Sequence, residues 1–289
     1  MNLYKEKMQL VHGLKRFLED SNFQEVLTPI SRRDQGQLIP RFPFGHNYAL
    51  RDSHELELRY LLSLYPCVYE IGSCFRIENG KHDTNATEFL LMELFSSRHK
   101  LSDLMELTKQ FLWQYRPEIN FQVISIRDCI HRDLDIDLFR EPQENLYEVL
   151  KQRYSQEQFD HNYEYVDHYI EEKVHPLSEG KVVFFTEYPE CTCSYADILQ
   201  GNVISRFELF ADKLELANGF DDECSVKRFL KRNQALPLFP REESAIVQGL
   251  LNGSLPASSA GLGIGIERLC MFLFNSKQIS DFMFPSDDF

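Results

Sequence analysis

The 289 residues are 43% apolar and 26% charged, with no low-complexity tract. This composition excludes a disordered chain, and no run reaches the roughly 18 consecutive apolar residues of a membrane span. A formal net charge of −14 excludes a broad nucleic-acid surface, which needs clustered Lys and Arg to release phosphate counterions.

In chain order, apolar Leu3, Met8, Val11, Leu14, Phe17 and Leu18 recur at three- and four-residue spacing and predict an opening helix that ends near Asp20. Its charges run throughout, unlike the apolar core of a signal peptide, so a cytoplasmic protein is expected. A short strand, FQEVLTP, follows and stops at Pro29. After a polar loop over 31–47 come a helix around 54–64 and two strands, 68–78 and 88–97, joined by the turn NGKHDTNAT. Residues 102–115 read as an amphipathic helix and 120–180 as a more variable helical insertion. Strands are predicted at 181–187, 205–211 and 213–219, helices near 222–232 and 241–252, and last a glycine-rich strand, AGLGIGI, feeding the helix ERLCMFLF. Hairpin-connected strands with helices around them predict an α+β fold with an antiparallel sheet, in a single domain over residues 1–289. The seven cysteines show no CxxC pair, so neither zinc nor disulfides are expected, and Cys191 and Cys193 read as strand residues.

Three patterns carry chemistry. In GLGIGIER, Gly261, Gly263 and Gly265 share one strand face. They would leave it bare for a flat ligand, with Arg268 beside the slot to stack on a purine or pair with phosphate. In FRIE, alternation puts Arg76 and Glu78 on one face, a guanidinium suited to an α-phosphate and a carboxylate suited to an exocyclic amine, with Glu88 and Phe89 following the turn. In RFELFADKLELANGFDD, Glu208 and Glu215 could meet across two strands, where unpaired carboxylates would repel unless magnesium bridges them. Each pattern alone also fits a structural role: a closely packed strand, a surface ion pair, a solvated acidic face.

In the order FRIE…EF, ELANGF, GLGIGIERL, with NFQEVLTP (22–29) ahead of them, the sequence resembles class II aminoacyl-tRNA synthetases over nearly its whole length, weakly between 120 and 180. Within that class it is most similar to lysyl-tRNA synthetases and their stand-alone paralogues that lysylate elongation factor P; Ala217 in ELANGF leans toward the paralogues. The resemblance implies ATP and Mg2+, a class II antiparallel sheet flanked by helices, and a homodimer through 22–29. It implies that Arg76 holds the α-phosphate, Glu78 reads the adenine amino group, Phe89 and Arg268 sandwich the ring, and Glu208 and Glu215 coordinate magnesium. Glu93 would hold the substrate amino group, and Ala217, Asn218 and Phe220 would line the amino-acid pocket.

Departures fall around that pocket. Phe95 stands where the lysine enzymes have Tyr, Asp222 aligns with a side-chain-reading glutamate, and the other such glutamate falls on His54 or Glu55. The loop offers Lys81 and His82 as further ATP contacts at unusual spacing. The pocket stays acidic, so lysine or a lysine-like isomer is the expected substrate. Because about twenty residues precede the first motif, an anticodon-binding barrel is not expected. The expected acceptor is therefore a protein of the elongation factor P type or a small molecule, with tRNA charging and an inactive regulatory paralogue as the competing readings.

Overall fold

A computed structural model describes residues 3–33, 43, 48–77, 83–235 and 240–284. The chain divides into two compact units, Met1–Glu118 with Leu238–Phe289, and Ile119–Pro237. The first opens with α1 (Leu3–Asp20), β1 (Gln24–Glu25), β2 (Ser31–Arg33), β3 (Tyr48–Leu50), α2 (Glu55–Leu61), β4 (Cys67–Phe75), β5 (Glu88–Ser96) and α3 (Leu101–Tyr115). The second holds β6 (Phe121–Ser125), α4 (Ile126–Leu134), α5 (Gln143–Arg153), α6 (Asn162–Tyr169), β7 (Val182–Pro189), β8 (Ile198–Gln200), β9 (Val203–Ala211), β10 (Leu214–Asp221) and α7 (Val226–Ala235). The chain then supplies the first unit with α8 (Pro240–Asn252), β11 (Ala260–Gly265) and α9 (Ile266–Phe274).

In the first unit β1 runs parallel to β4, and β4, β5 and β11 are antiparallel neighbours in that order. Pairing sets Val68, Glu70, Gly72 and Cys74 opposite Phe95, Glu93, Leu91 and Phe89, and Gly261, Gly263 and Gly265 opposite Phe95, Glu93 and Leu91. Paired residues share a face, so these positions form one surface of the sheet. Helix α2 closes one end of it, packing Leu58 and Leu62 on Val68 and Phe95. Helix α1 buries Leu10, Val11, Leu14 and Leu18 as its spacing predicts, and also Lys7. Lys7 Nζ pairs with Glu267 Oε1 of α9 at 3.2 Å, while Glu267 Oε2 accepts from the Leu90 backbone N–H at 3.0 Å. One buried ion pair therefore joins α1, β5 and α9.

In the second unit β10 and β7 flank β9 antiparallel, β6 runs parallel along β7, and short β8 pairs the end of β9. Alternate residues Val183, Phe185, Ile204, Phe210 and Phe220 turn onto one face and meet Ile126, Ile130, Leu146, Leu150, Val166 and Tyr169 of α4, α5 and α6. The insertion over 120–180 thus supplies the helical layer of this core. Strand β8 was not anticipated, and α7 begins four residues later than predicted, after Ser225. The α+β reading holds in both units.

The glycine strand differs from expectation. A Cβ at Gly261 would lie 2.2–2.6 Å from the Phe95 ring, and one at Gly263 would lie 3.4 Å from Glu93 Cγ, whereas at Gly265 only Arg268 comes near, at 3.9 Å. The face is filled at Gly261, half filled at Gly263 and open at Gly265. Gly261→Ala should therefore destabilise the protein by about 1–3 kcal/mol through overpacking, with Gly265→Ala near neutral, measured by urea unfolding. Equal effects would contradict this gradient.

Candidate functional site

Antiparallel pairing places Glu70 directly opposite Glu93, both buried. Each has its own partners. Glu70 Oε1 accepts from Arg51 Nη1 at 2.7 Å, and Glu70 Oε2 from the Thr28 N–H at 2.8 Å. Glu93 Oε2 accepts from His54 Nδ1 at 2.9 Å and from the His54 backbone N–H, while Ser53 Oγ donates to Oε1 at 3.0 Å. Burial pushes the Glu93 carboxyl up, but the hydrogen bonds and charge of His54 outweigh it and hold the group below the usual carboxylate range. Glu93 is thus an ionised carboxylate with Oε2 occupied and Oε1 turned toward the bare Cα of Gly263, where a Cβ would sit 3.6 Å away.

Beyond Glu93 the same face continues to Phe89 and Arg76. Arg76 follows Cys74 in the alternation, and its guanidinium lies over the Phe89 ring, 5.2 Å from the centroid. Arg268, at the start of α9, donates to Thr84 O at 3.1 Å and Asn85 Oδ1 at 2.6 Å. The aromatic platform and both arginines therefore lie at the open end of the glycine strand.

Several expected positions fall elsewhere. Glu88 pairs with Phe75, so it turns to the opposite face from Phe89 and is exposed. Phe95 is a core residue packed on Leu58, Leu62, Val68 and Gly261. Of the two side-chain-reading candidates, His54 is fully buried behind Glu93, and Glu55 stands half-buried at the first turn of α2, 3.6 Å from Arg59 Nη1. Glu78, Lys81 and His82 lie outside the described residues.

In the second unit Asn218 pairs with Glu208, Phe220 with Arg206 and Glu215 with Phe210, so alternation brings Glu208 and Glu215 to one face. A bulge at Leu216 separates Glu215 from Ala217, which is buried. Glu208 is not bare, however. Arg206 Nη2 pairs with its Oε1, and Oε2 accepts from Tyr188 Oη at 2.7 Å with His175 Nε2 at 3.3 Å. Against the push of burial, Arg206 and these hydrogen bonds pull the Glu208 carboxyl down to about 2. The Arg206 guanidinium also stacks 4.6 Å over Tyr188, and its Nε reaches Asn218 Oδ1 at 3.4 Å.

The premise of two unpaired carboxylates therefore fails: a guanidinium already supplies the cation at Glu208. Among the described residues no group of three or more His, Cys, Asp or Glu could hold a metal. A magnesium ion at Glu208 would share that carboxylate with the Arg206 guanidinium, with Glu215 on the same face. Asp222 is buried, with a bridge to Ala196. Arg51, Tyr188 and His175 escaped the sequence reading, and Arg206 was read only as part of its motif. The available signal was the i, i+2 spacing of Arg206 and Glu208, which places opposite charges on one strand face.

The sequence profile of the family tRNA synthetases class II (D, K and N) matches residues 1–288. Similar proteins include a lysine–tRNA ligase of Campylobacter jejuni, 29% identical over 97% of this chain and 62% of that protein. A lysine–tRNA ligase of Thermosipho africanus is 30% identical over 97% of this chain and 62% of its own length. One of Helicobacter pylori is 30% identical over 99% and 63%. The chain thus spans less than two thirds of these relatives.

Asp167 of α6 offers a test of the electrostatics in the second unit. Burial, opposed by Arg206 and reinforced by Glu171, Glu208 and Glu164, pushes its carboxyl up to about 7. The folded protein binds this proton more tightly than the unfolded chain. The stabilisation is complete below the ordinary value of 3.8 and is lost as pH rises through about 7. Asp167→Asn should therefore be more stable than the wild type at about pH 8, with the difference shrinking toward about pH 4, read by thermal unfolding. A difference independent of pH would contradict the assignment.

Proposed function

We propose, for a chain that belongs to the class II tRNA synthetases of the D, K and N type, that it activates lysine or a lysine-like amino acid with ATP as the aminoacyl-adenylate. The observation that carries this reading is the graded face of the first unit, with ionised Glu93 beside Gly263 and the Phe89 platform with Arg76 and Arg268 at the open end. An amino group docks on Glu93 Oε1. A purine takes the Phe89 ring in place of the Arg76 guanidinium, which frees that guanidinium for the α-phosphate, and Arg268 completes the clamp. The substrate carboxylate then attacks the α-phosphorus in line, pyrophosphate leaves, and the two guanidinium groups hold the charge that develops on the phosphoryl oxygens. No protein nucleophile is needed.

Two further features support parts of the reading. Glu55 of the first unit and the buried Asp222 of the second are each acidic positions, which suit a cationic substrate better than an acidic one. Leu27 within the expected two-fold segment and Ile30 just after it are 84% and 49% exposed, an apolar pair that a homodimer through 22–29 would help to cover. For the acceptor, the acidic net charge favours a protein of the elongation factor P type, and the named relatives favour tRNA.

ATP–pyrophosphate exchange should run with lysine, β-lysine or ornithine ahead of glutamate and leucine. Arg76→Ala and Arg268→Ala should each lower it by about 10²–10³-fold, the usual loss when one preorganised donor at a developing charge is removed. Exchange near the wild-type rate in either variant, or glutamate and leucine outpacing every basic substrate, would refute the reading. Transfer of radiolabelled lysine to elongation factor P and to tRNA in parallel decides the acceptor. Sedimentation should give a dimer that Leu27→Asp shifts toward monomer; a monomeric wild type at micromolar concentration would remove the dimer.

A further inference from the structure

The fully buried His54 ring lies between two carboxylates, with Nδ1 2.9 Å from Glu93 Oε2 and Nε2 3.7 Å from Glu70 Oε1. The charged and titratable groups around it come from three directions. Glu70 and Cys74 face it from β4, with Cys74 Sγ at 3.8 Å from Nε2, and Glu93 faces it from β5. Arg51 joins from the segment ahead of α2 through Glu70, and Asp52 and Arg76 act on the neighbouring Cys74. Strand β4 is itself shaped for this cluster. A Cβ at Gly72 would strike Arg51 Nη2 at 2.3 Å, Glu70 Oε1 at 3.0 Å and His54 Nε2 at 3.1 Å. The sheet gives up a side chain so that the histidine and arginine can sit between the two acids.

We infer that His54 is a positioning residue that carries the counter-charge of Glu93 in the free protein and surrenders it when an ammonium group arrives. The inference rests on the reading of Glu93 as the site of the substrate amino group. If the His54 ring holds a proton on both nitrogens, Arg51 and His54 balance Glu70 and Glu93, and an arriving ammonium at Glu93 would share that buried carboxylate with a cation already in place, which is costly. Binding of the ammonium at Glu93 Oε1 therefore expels the Nε2 proton to solvent. The Nδ1–H stays on Glu93 Oε2, so the carboxylate keeps its orientation while its charge passes to the substrate. No covalent bond forms or breaks apart from this N–H.

The proton count of binding tests this directly. Titration calorimetry of the wild-type protein with lysine, at one near-neutral pH in buffers of different ionisation enthalpy, should show up to one proton released per lysine bound. KM for the amino acid should rise by about tenfold per pH unit on the acid side of the His54 midpoint. His54→Asn keeps an N–H donor where Nδ1 stands but cannot hold a second proton, so it should release none and flatten the pH dependence of KM. A buffer-independent enthalpy in the wild type, or the same proton count in His54→Asn, would overturn the inference. If no amino acid binds the wild type, the reading of Glu93 falls instead. The cluster is then judged by NMR titration of the His54 ring, whose midpoint should drop in Glu93→Gln and Glu70→Gln. A midpoint unmoved in both would overturn the shared charge as well.

Discussion

Two carboxylates placed directly opposite each other across β4 and β5, both buried, are the constraint from which much of the first unit follows. Like charges in that position destabilise a sheet, and buried acids without partners cost more still. The chain answers with Arg51 and His54, and to deliver them it must bring residues 51–54 over the sheet. Arg51 is then fixed from several sides: its Nε donates to Ser73 O at 2.8 Å, its Nη1 to Thr28 Oγ1 at 3.0 Å, and its backbone N–H to Ile30 O at 2.8 Å. The segment after β1, the approach to α2 and the middle of β4 are located by one requirement of charge. The same requirement makes Gly72 a glycine and aims Glu93 at β11.

The second unit meets a buried acid by a different route. Arg206 and Glu208 are two apart on one strand, so the cation comes from the same face as the anion, and Tyr188 and His175 fill the remaining acceptor sites from outside β9. Arg206 is itself steadied by Tyr188 and Asn218. Removing one partner of such a pair strands the other charge, so the residues of RFE and ANG are bound together by energetics before any ligand is considered. An outside cation aimed at Glu208 has to compete with a guanidinium already in place.

Much of this was legible in the sequence because it is periodic. The spacing in α1, the alternation in β4, β5, β9 and β10, and the join of β11 to α9 all showed through. What stayed hidden depends on register and on neighbours distant in sequence. Nothing local distinguishes His54 from Glu55 as a pocket residue; the N-terminal boundary of α2 decides it, turning His54 inward to Glu93 and leaving Glu55 on the first turn beside Arg59. Nothing local marks Lys7 as a buried position, because its partner Glu267 lies 260 residues away. Glu208 read as a free acid because Tyr188 and His175 reach it from other elements.

The three glycines of β11 show how far register governs chemistry. They look identical at positions 261, 263 and 265, and a strand pattern alone assigns them one bare face. Pairing with β5 gives each a different neighbour, Phe95, Glu93 and Leu91 in turn. At the first, the glycine serves packing, since the aromatic ring occupies the space a Cβ would need. At the second it leaves a gap next to a charged oxygen, and at the third it leaves only Arg268 nearby. A slip of one residue would turn these positions to the opposite face and take Gly263 away from Glu93. The apolar anchor of Phe95 on Gly261, Leu58, Leu62 and Val68 is what fixes the register, so the core end of the strand determines which functional groups stand together at its open end.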